Sequence, residues 1–205
     1  MIKCDVTVCA KITHAAVVKE TSNGTKFLSF GIQLPIIGKN KEKVIMEISV
    51  SADGDKSQKS VYSEGRRVNI TGSLTMRAKD DKVFYNLRAD NVDTCKSTES
   101  DNIEGTLFFK GKIDKRGIDV RQDKNGKDYK SFSAFSYEKE KDSDKTHFTY
   151  VRFLYFNTKE NEDYLEAGAY IEASGKLQLG VFREKLSIDC RIDEVSHWEY
   201  EKKDK

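Results

Sequence analysis

One arrangement of residues occurs twice in this chain, and it constrains the fold more than any other feature. Tyr62–Arg77 reads Y-S-E-G-R-R-V-N-I-T-G-S-L-T-M-R, and Tyr164–Gly180 reads Y-L-E-A-G-A-Y-I-E-A-S-G-K-L-Q-L-G. In both, an acidic residue and a glycine precede an alternating run that holds a second glycine seven residues on, Gly65 to Gly72 and Gly168 to Gly175. Val68, Ile70, Leu74 and Met76 fall on one side of the first run, and Ile171, Ala173, Leu177 and Leu179 on one side of the second. A period of two over this length predicts a half-buried strand. The glycine inside it predicts a bulge or bend of the kind that lets a small sheet curl into a barrel.

The repetition extends in both directions. At the same shift of 103 residues, Ile48 and Val50 fall on Val151 and Phe153, and Tyr85, Leu87 and Ala89 fall on Ile188, Cys190 and Ile192. With one residue of slippage, Asn23-Gly24 meets Asn125-Gly126, and Phe27 and Phe30 meet Tyr129 and Phe132. A repeat this long marks two copies of a domain, since solenoid periods are much shorter. The 205 residues divide into two units of ordinary domain size.

Within each unit the pattern is all-β. Val6 to Thr13 alternates, Asn23-Gly24 is a hairpin signal, and Pro35 is expected to close the second strand. The run at 38 to 43 is a charged loop, and Val44 to Val50 is a third strand. A polar connector with a short helix or turn follows, then two strands joined by a charged turn at 79 to 82. The second unit runs in the same order, from a strand near Thr106 to Ile113 to a last strand ending near Val195. The expected boundaries are a barrel over 1–94, a linker over 95–105, a second barrel over 106–198 and a charged tail over 199–205, with fraying from Trp198 onward. Five strands with a connector between the third and fourth is the layout of an OB fold, a small Greek-key barrel. Strand count alone also admits an SH3-like barrel.

The bulk properties exclude more than they choose. The net charge of +2 and 34% charged residues give only weak support for a polyanionic partner. No apolar run is long enough to span a membrane, and the start M-I-K-C-D-V has no signal-peptide core, so a cytoplasmic protein is expected. The four cysteines, Cys4, Cys9, Cys95 and Cys190, form no C-x-x-C pair and are read as core thiols, with no metal and no cofactor expected. An enzyme is not expected. His14, His147 and His197 are far apart in sequence, Asp53, Asp55, Asp80 and Asp81 sit in turns, and no phosphate-binding glycine loop is present.

The order N-G, then F-x-x-F or Y-x-x-F, then an aromatic strand, then Y-[SL]-E-(A)-G-x(6)-G-x-L resembles bacterial single-stranded DNA-binding proteins, in a form with two OB-fold barrels in tandem and short connecting helices. The resemblance covers about 6–94 and 106–196. It implies a non-catalytic protein of DNA replication and repair that binds single-stranded DNA without sequence preference. It also implies a homodimer presenting four barrels. Carried over, the family's base-stacking tryptophan falls on Tyr150, its basic neighbour on Arg152, and its stacking phenylalanine on Phe156. The aromatic after the fourth strand falls on Phe182, and an arginine of that strand on Arg77. The first half lacks the rest: Glu47 and Ser49 stand where Tyr150 and Arg152 stand, and Lys79 stands opposite Phe182. The family's acidic tail has no counterpart here.

Alternation in the residues themselves extends this face. In H-F-T-Y-V-R-F-L-Y-F, Val151, Phe153 and Tyr155 are expected inward, which leaves Phe148, Tyr150, Arg152, Leu154 and Phe156 outward. Phe135 and Tyr137 face opposite Phe132 and Ala134 and extend the platform or pack against a neighbour. Phe84 with Arg88 is a similar pair in the first half. Between Lys110 and Lys130, eight Lys or Arg stand against four Asp, with Lys112 and Arg121 among them, a candidate phosphate track or a solvated hairpin. Arg77 and Lys79 belong to a second basic cluster. Two functions remain open. One is single-stranded DNA binding, with RNA admitted because stacking ignores the 2′-hydroxyl. The other is an assembly module whose aromatic face is a protein interface.

Overall fold

The computed structural model describes residues 1–79, 82–96, 98–139, 145–156 and 162–199. Among the described residues there are ten strands: β1 (Ile2–Glu20), β2 (Lys26–Ile37), β3 (Lys43–Asp53), β4 (Arg67–Lys79), β5 (Lys82–Thr94), β6 (Asn102–Gln122), β7 (Asp128–Lys139), β8 (Thr146–Tyr155), β9 (Tyr170–Phe182) and β10 (Lys185–His197). In the first half β1 pairs with β2 and β2 with β3. β3 then runs parallel to β5, β5 pairs with β4, and β4 returns to β1. The second half repeats the circuit as β6, β7, β8, β10 and β9, closing again on β6. Each circuit is an OB-fold barrel, set apart from a generic five-stranded barrel by the parallel contact between its third and fifth strands. The fold is two such barrels in tandem.

The alternation read from the sequence sets the buried face. Val68, Ile70, Leu74 and Met76 are at most 4% exposed, and Val151, Phe153 and Tyr155 at most 2%. The connectors differ from expectation. Between β3 and β4 lies one turn of 3-10 helix, Lys59–Tyr62, with no buried residue. Between β8 and β9 the described residues 162–169 form turns. Neither connector has an apolar stripe at helical spacing, and short helices without a docked face are not stable. β2 also runs two residues beyond Pro35. Its pairing with β1 has ended by Gln33, so a residue without an N–H lies where only β3 is a neighbour.

β1 is the hub. Lys11 to Glu20 pairs with β2, Lys3 to Lys11 with β4, and the far edge of Ile2 to Cys9 with β6. That last pairing, from Ile2↔Phe109 to Cys9↔Asn102, fuses the two barrels into one ten-stranded sheet. β6 therefore starts at Asn102, four residues inside the stretch expected as linker. The buried residues on either side of this seam lie on the same face of the sheet, so the two interiors run together into one apolar cluster. Cys4 and Cys190 belong to that cluster. Cys9 and Cys95 do not: both are half-buried, with their Sγ atoms 3.3 Å apart, which corrects the reading of all four as core thiols. Trp198 is also anchored, its N–H bonded to Tyr170 O at 3.0 Å. The tail from residue 200, together with Asp80 and Asp81, lies outside the described residues.

The repeated glycines have a geometric cause. β5 skips Asp90 between its pairs with Thr71 and Gly72, and β10 skips Asp193 between its pairs with Ser174 and Gly175. At each bulge a carbonyl is pushed over the facing glycine. A Cβ on Gly72 would stand 2.1 Å from Arg88 O, and a Cβ on Gly175 would stand 2.1 Å from Arg191 O. Backbone on both sides of these contacts is held in the ladder, so it cannot yield. Gly72→Ala and Gly175→Ala are each expected to cost about 1–3 kcal/mol or more. The measurement is a lower urea midpoint at unchanged m.

Candidate nucleic-acid interface

On β8 the outward residues Phe148 and Tyr150 are 48% and 50% exposed. Register places Phe135 opposite Tyr150 and Tyr137 opposite Phe148. Phe135 meets Phe148 edge to face at 5.4 Å between ring centres and Tyr150 at 5.6 Å, and Tyr137 lies 6.4 Å from Phe148. The row continues away from β8. Lys112 is registered between Phe135 and Tyr170, its ammonium 5.3 Å from the Tyr170 ring centre. Tyr170 meets Trp198 edge to face at 5.9 Å, and Lys110 lies 5.9 Å over the Trp198 ring. Aromatic rings thus form one strip from Trp198 through Tyr170 and Phe135 to Tyr150 and Phe148, with Lys112 between Tyr170 and Phe135 and Lys110 over Trp198.

Tyr170 and Trp198 were not singled out from the sequence, and Lys110 only as part of the charged run. Tyr170 stands just before the inward series of β9, and Trp198 had been grouped with the tail. In the first barrel the same row is Arg67, Lys11, Gln33 and Glu47. Gln33 Nε2 donates to Glu47 Oε1 at 3.0 Å, so that face is a hydrogen-bonded polar surface with no aromatic ring in the row.

Every arginine among the sequence candidates has an intramolecular carboxylate. Arg152 bonds Asp189, Arg77 lies 3.4 Å from Glu138, Arg88 is 2.5 Å from Asp53, and Arg121 is 2.8 Å from Asp119. Except for Asp189 these carboxylates are well exposed, and exposed pairs hold their partners weakly. Asp189 is different, being 7% exposed, and its Oδ1 has no hydrogen-bond partner. Of the run between Lys110 and Lys130, Lys110 pairs with Glu172, Arg116 with Asp114 and Lys130 with Glu162. Arg116 holds the Asp114 carboxyl below its usual range, by side-chain and then backbone hydrogen bonds.

The other candidates occupy separate places. Phe156 is stacked on Tyr129 at 4.7 Å, with the Arg191 guanidinium 4.9 Å from its ring centre, so its ring already has two partners. Phe182 is 65% exposed at the β9–β10 turn, with Arg183 5.2 Å from its ring. Arg77, Lys79 and Phe84 line a cleft of about 400 Å³ between the barrels, facing Glu138, Lys139 and His147. Two of its lining residues, Glu138 and His147, are the chain neighbours of Tyr137 and Phe148, so Arg77, Lys79 and Phe84 stand near that end of the strip. Arg88 and Arg121 are not part of it: Arg88 sits at the β3–β5 end of the first barrel, and Arg121 on the arm of the β6–β7 hairpin.

Under the face, the second barrel holds a polar trio of buried Tyr155 and Glu162 with half-buried Lys130. Tyr155 Oη donates to Glu162 Oε1 at 2.6 Å, and Lys130 Nζ to Glu162 Oε2 at 2.8 Å. Burial first, and the Glu162 bond second, push the Tyr155 hydroxyl above its ordinary pKa. The equivalent positions of the first barrel are Leu28 and Ala52, both buried and apolar.

No protein-family model matches the sequence, and no curated protein matches it. Among solved structures, the wild-type single-stranded DNA-binding protein from Thermus aquaticus matches at 14% identity over 100% of this chain and 96% of its own, with a TM-score of 0.50. A deletion mutant of that protein matches at 16% identity over 98% and 96%, with a TM-score of 0.49. The small single-stranded DNA-binding protein from Streptomyces coelicolor covers 48% of this chain and 96% of its own, at 14% identity and a TM-score of 0.36. In fold, and along its whole length, the chain resembles the wild-type Thermus aquaticus protein.

Tyr155→Phe removes a donor from a buried carboxylate and is expected to destabilise the protein by about 1–2 kcal/mol. Chemical denaturation reads this directly, and Leu28→Met at an apolar counterpart is expected to cost less.

Proposed function

We propose that the chain binds single-stranded DNA on the outer face of its second barrel, without catalysis and largely without sequence preference. The observation that carries this is the strip from Trp198 to Tyr150, in which contacting rings are flanked by Lys110 and Lys112. Bases of any identity stack on such rings, and lysines between them meet the phosphates. The fold shared with a single-stranded DNA-binding protein agrees with this use. The strand passes along Tyr170, Phe135, Tyr150 and Phe148 and continues into the cleft beside Phe84, Arg77 and Lys79. Arg152 reaches phosphate by exchanging Asp189 for it. The first barrel, with its Gln33–Glu47 surface, contributes little stacking. The binding units are taken as 1–94 and 106–198, and from the family resemblance two chains are expected to assemble and present four barrels.

Fluorescence anisotropy of labelled oligo-dT against a duplex of equal length tests the proposal. Binding that prefers the single strand is expected, with log affinity falling against log salt at a slope of about −0.7 per phosphate contacted. Oligo-U run in parallel reads whether RNA substitutes. No preference over duplex would overturn the proposal. So would a Tyr150→Ala variant that changes the oligomeric state and leaves oligo-dT affinity intact, since the face would then be a protein interface.

Tyr150→Ala is expected to weaken oligo-dT binding roughly 5- to 150-fold, the worth of one stack of about 1–3 kcal/mol. Asp189→Asn removes the carboxylate that holds Arg152 and is expected to tighten binding several-fold and to steepen its salt dependence, both read in the same titration.

A further inference from the structure

The two barrels end differently at one equivalent place. In the second barrel, Trp198 follows β10, bonds Tyr170 O through its N–H, and lies under Lys110. In the first barrel, Cys95 follows β5, bonds Arg67 O through its N–H at 3.3 Å, and lies against Cys9. Where one barrel stacks a cation on a ring, the other sets two sulfurs 3.3 Å apart, against about 2.0 Å in a formed disulfide.

We propose that Cys9 and Cys95 are an oxidation site that forms a reversible intrachain disulfide under peroxide. The surroundings suit the reaction. Cys9 lies 3.9 Å from Glu99 Oε2, a carboxylate placed to take its proton. Arg67 Nη2 stands 3.6 Å from Cys9 Sγ, a counter-ion for negative charge developing there. Both thiols are half-buried and open to a small oxidant, whereas Cys4 and Cys190 are sealed in the core. Burial and then the Cys9 contact push the Cys95 thiol up to about 11, which suits it to the later step rather than the first.

The Cys9 sulfur attacks hydrogen peroxide, its S–H proton passing to Glu99. The O–O bond breaks, Cys9 becomes the sulfenic acid, and hydroxide leaves with that proton as water. The Cys95 sulfur then attacks Cys9 Sγ, the S–O bond breaks, and the second oxygen leaves with the Cys95 proton as water. Two thiols are oxidised by two electrons and one peroxide is reduced to two waters. A thiol reductant reverses the change by exchange.

The bond would close the chain from Cys9 to Cys95 around the whole first barrel. It would sit at the last rung of the seam, Cys9↔Asn102, beside the Arg67–Asp101 ion pair at 2.7 Å. Its effect is to fasten the chain leaving β5 onto β1 where the barrels join. A constraint on so long a loop acts mainly through the unfolded state. A higher melting temperature is therefore expected.

The test treats the full reduced chain with hydrogen peroxide. The expected result is a monomer that has lost two hydrogens in intact mass, with titratable thiols under denaturant falling from four to two. The Cys9 and Cys95 peptides should be linked, and the melting temperature should rise by several degrees and return on reduction. Cys95→Ala, at a position beyond the strand, should abolish both the mass change and the rise. Cys190→Ala should keep the mass change even where it lowers the starting stability. Three results would overturn the proposal: disulfide-linked dimers, oxygen added to the two sulfurs with no hydrogens lost, or a stoichiometric zinc ion that shields both thiols from peroxide.

Discussion

Everything in this molecule hangs on the antiparallel pairing of β1 with β6. Each of these strands closes its own barrel on one edge and along its far half, and gives the remaining edge to the other. Two barrels that would each expose a strand edge instead satisfy one another, which removes the sites where a sheet would recruit a foreign strand. Because the buried residues of both strands lie on one face, the seam joins cores as well as backbones. Gly105 shows how tight the join is, since a Cβ there would stand 2.1 Å from Asp5 O. The two barrels are held as one body by ladder bonds and by apolar contact together.

That rigidity gives the outer face its meaning. A row of rings and lysines spread over β9, β6, β7 and β8 keeps its spacing only because four registered strands carry it. The arginines are less committed than the rings. Arg77, Arg88, Arg121 and Arg152 are each matched to a carboxylate, so the surface presents aromatic area in a partly neutralised field, in line with a net charge of only +2. Under the proposed function, stacking is then expected to outweigh phosphate attraction in affinity, and Asp189 to restrain Arg152.

Much of the fold was legible because duplication tests each reading against its copy. The alternation of Val68, Ile70, Leu74 and Met76 had to fit Ile171, Ala173, Leu177 and Leu179, and it did. The glycines at 72 and 175 were legible as bulge positions, although the bulged residues, Asp90 and Asp193, lie on the partner strands. The connectors left a short helix or a turn open, and without an apolar stripe they form one 3-10 turn in the first barrel and turns over 162–169 in the second. On the face, Tyr150, Phe148, Phe135 and Tyr137 could be placed by parity within adjacent strands. Lys112 was found as part of a charge run, but its place between Phe135 and Tyr170 depends on the β6–β9 register, which no local signal encodes. The Cys9–Cys95 approach was hidden for the same reason, since 86 residues separate two atoms that nearly touch.

The contrast between the Gln33–Glu47 row and the Phe135–Tyr150 row has an evolutionary consequence. In an assembly of identical barrels, any change to one face is copied onto all of them. Joining two barrels in one chain removes that obligation. One copy is free to drift toward polarity, or to acquire a pair of thiols, while selection on the other keeps its rings. The fused chain therefore carries asymmetry that no symmetric oligomer of a single barrel could inherit.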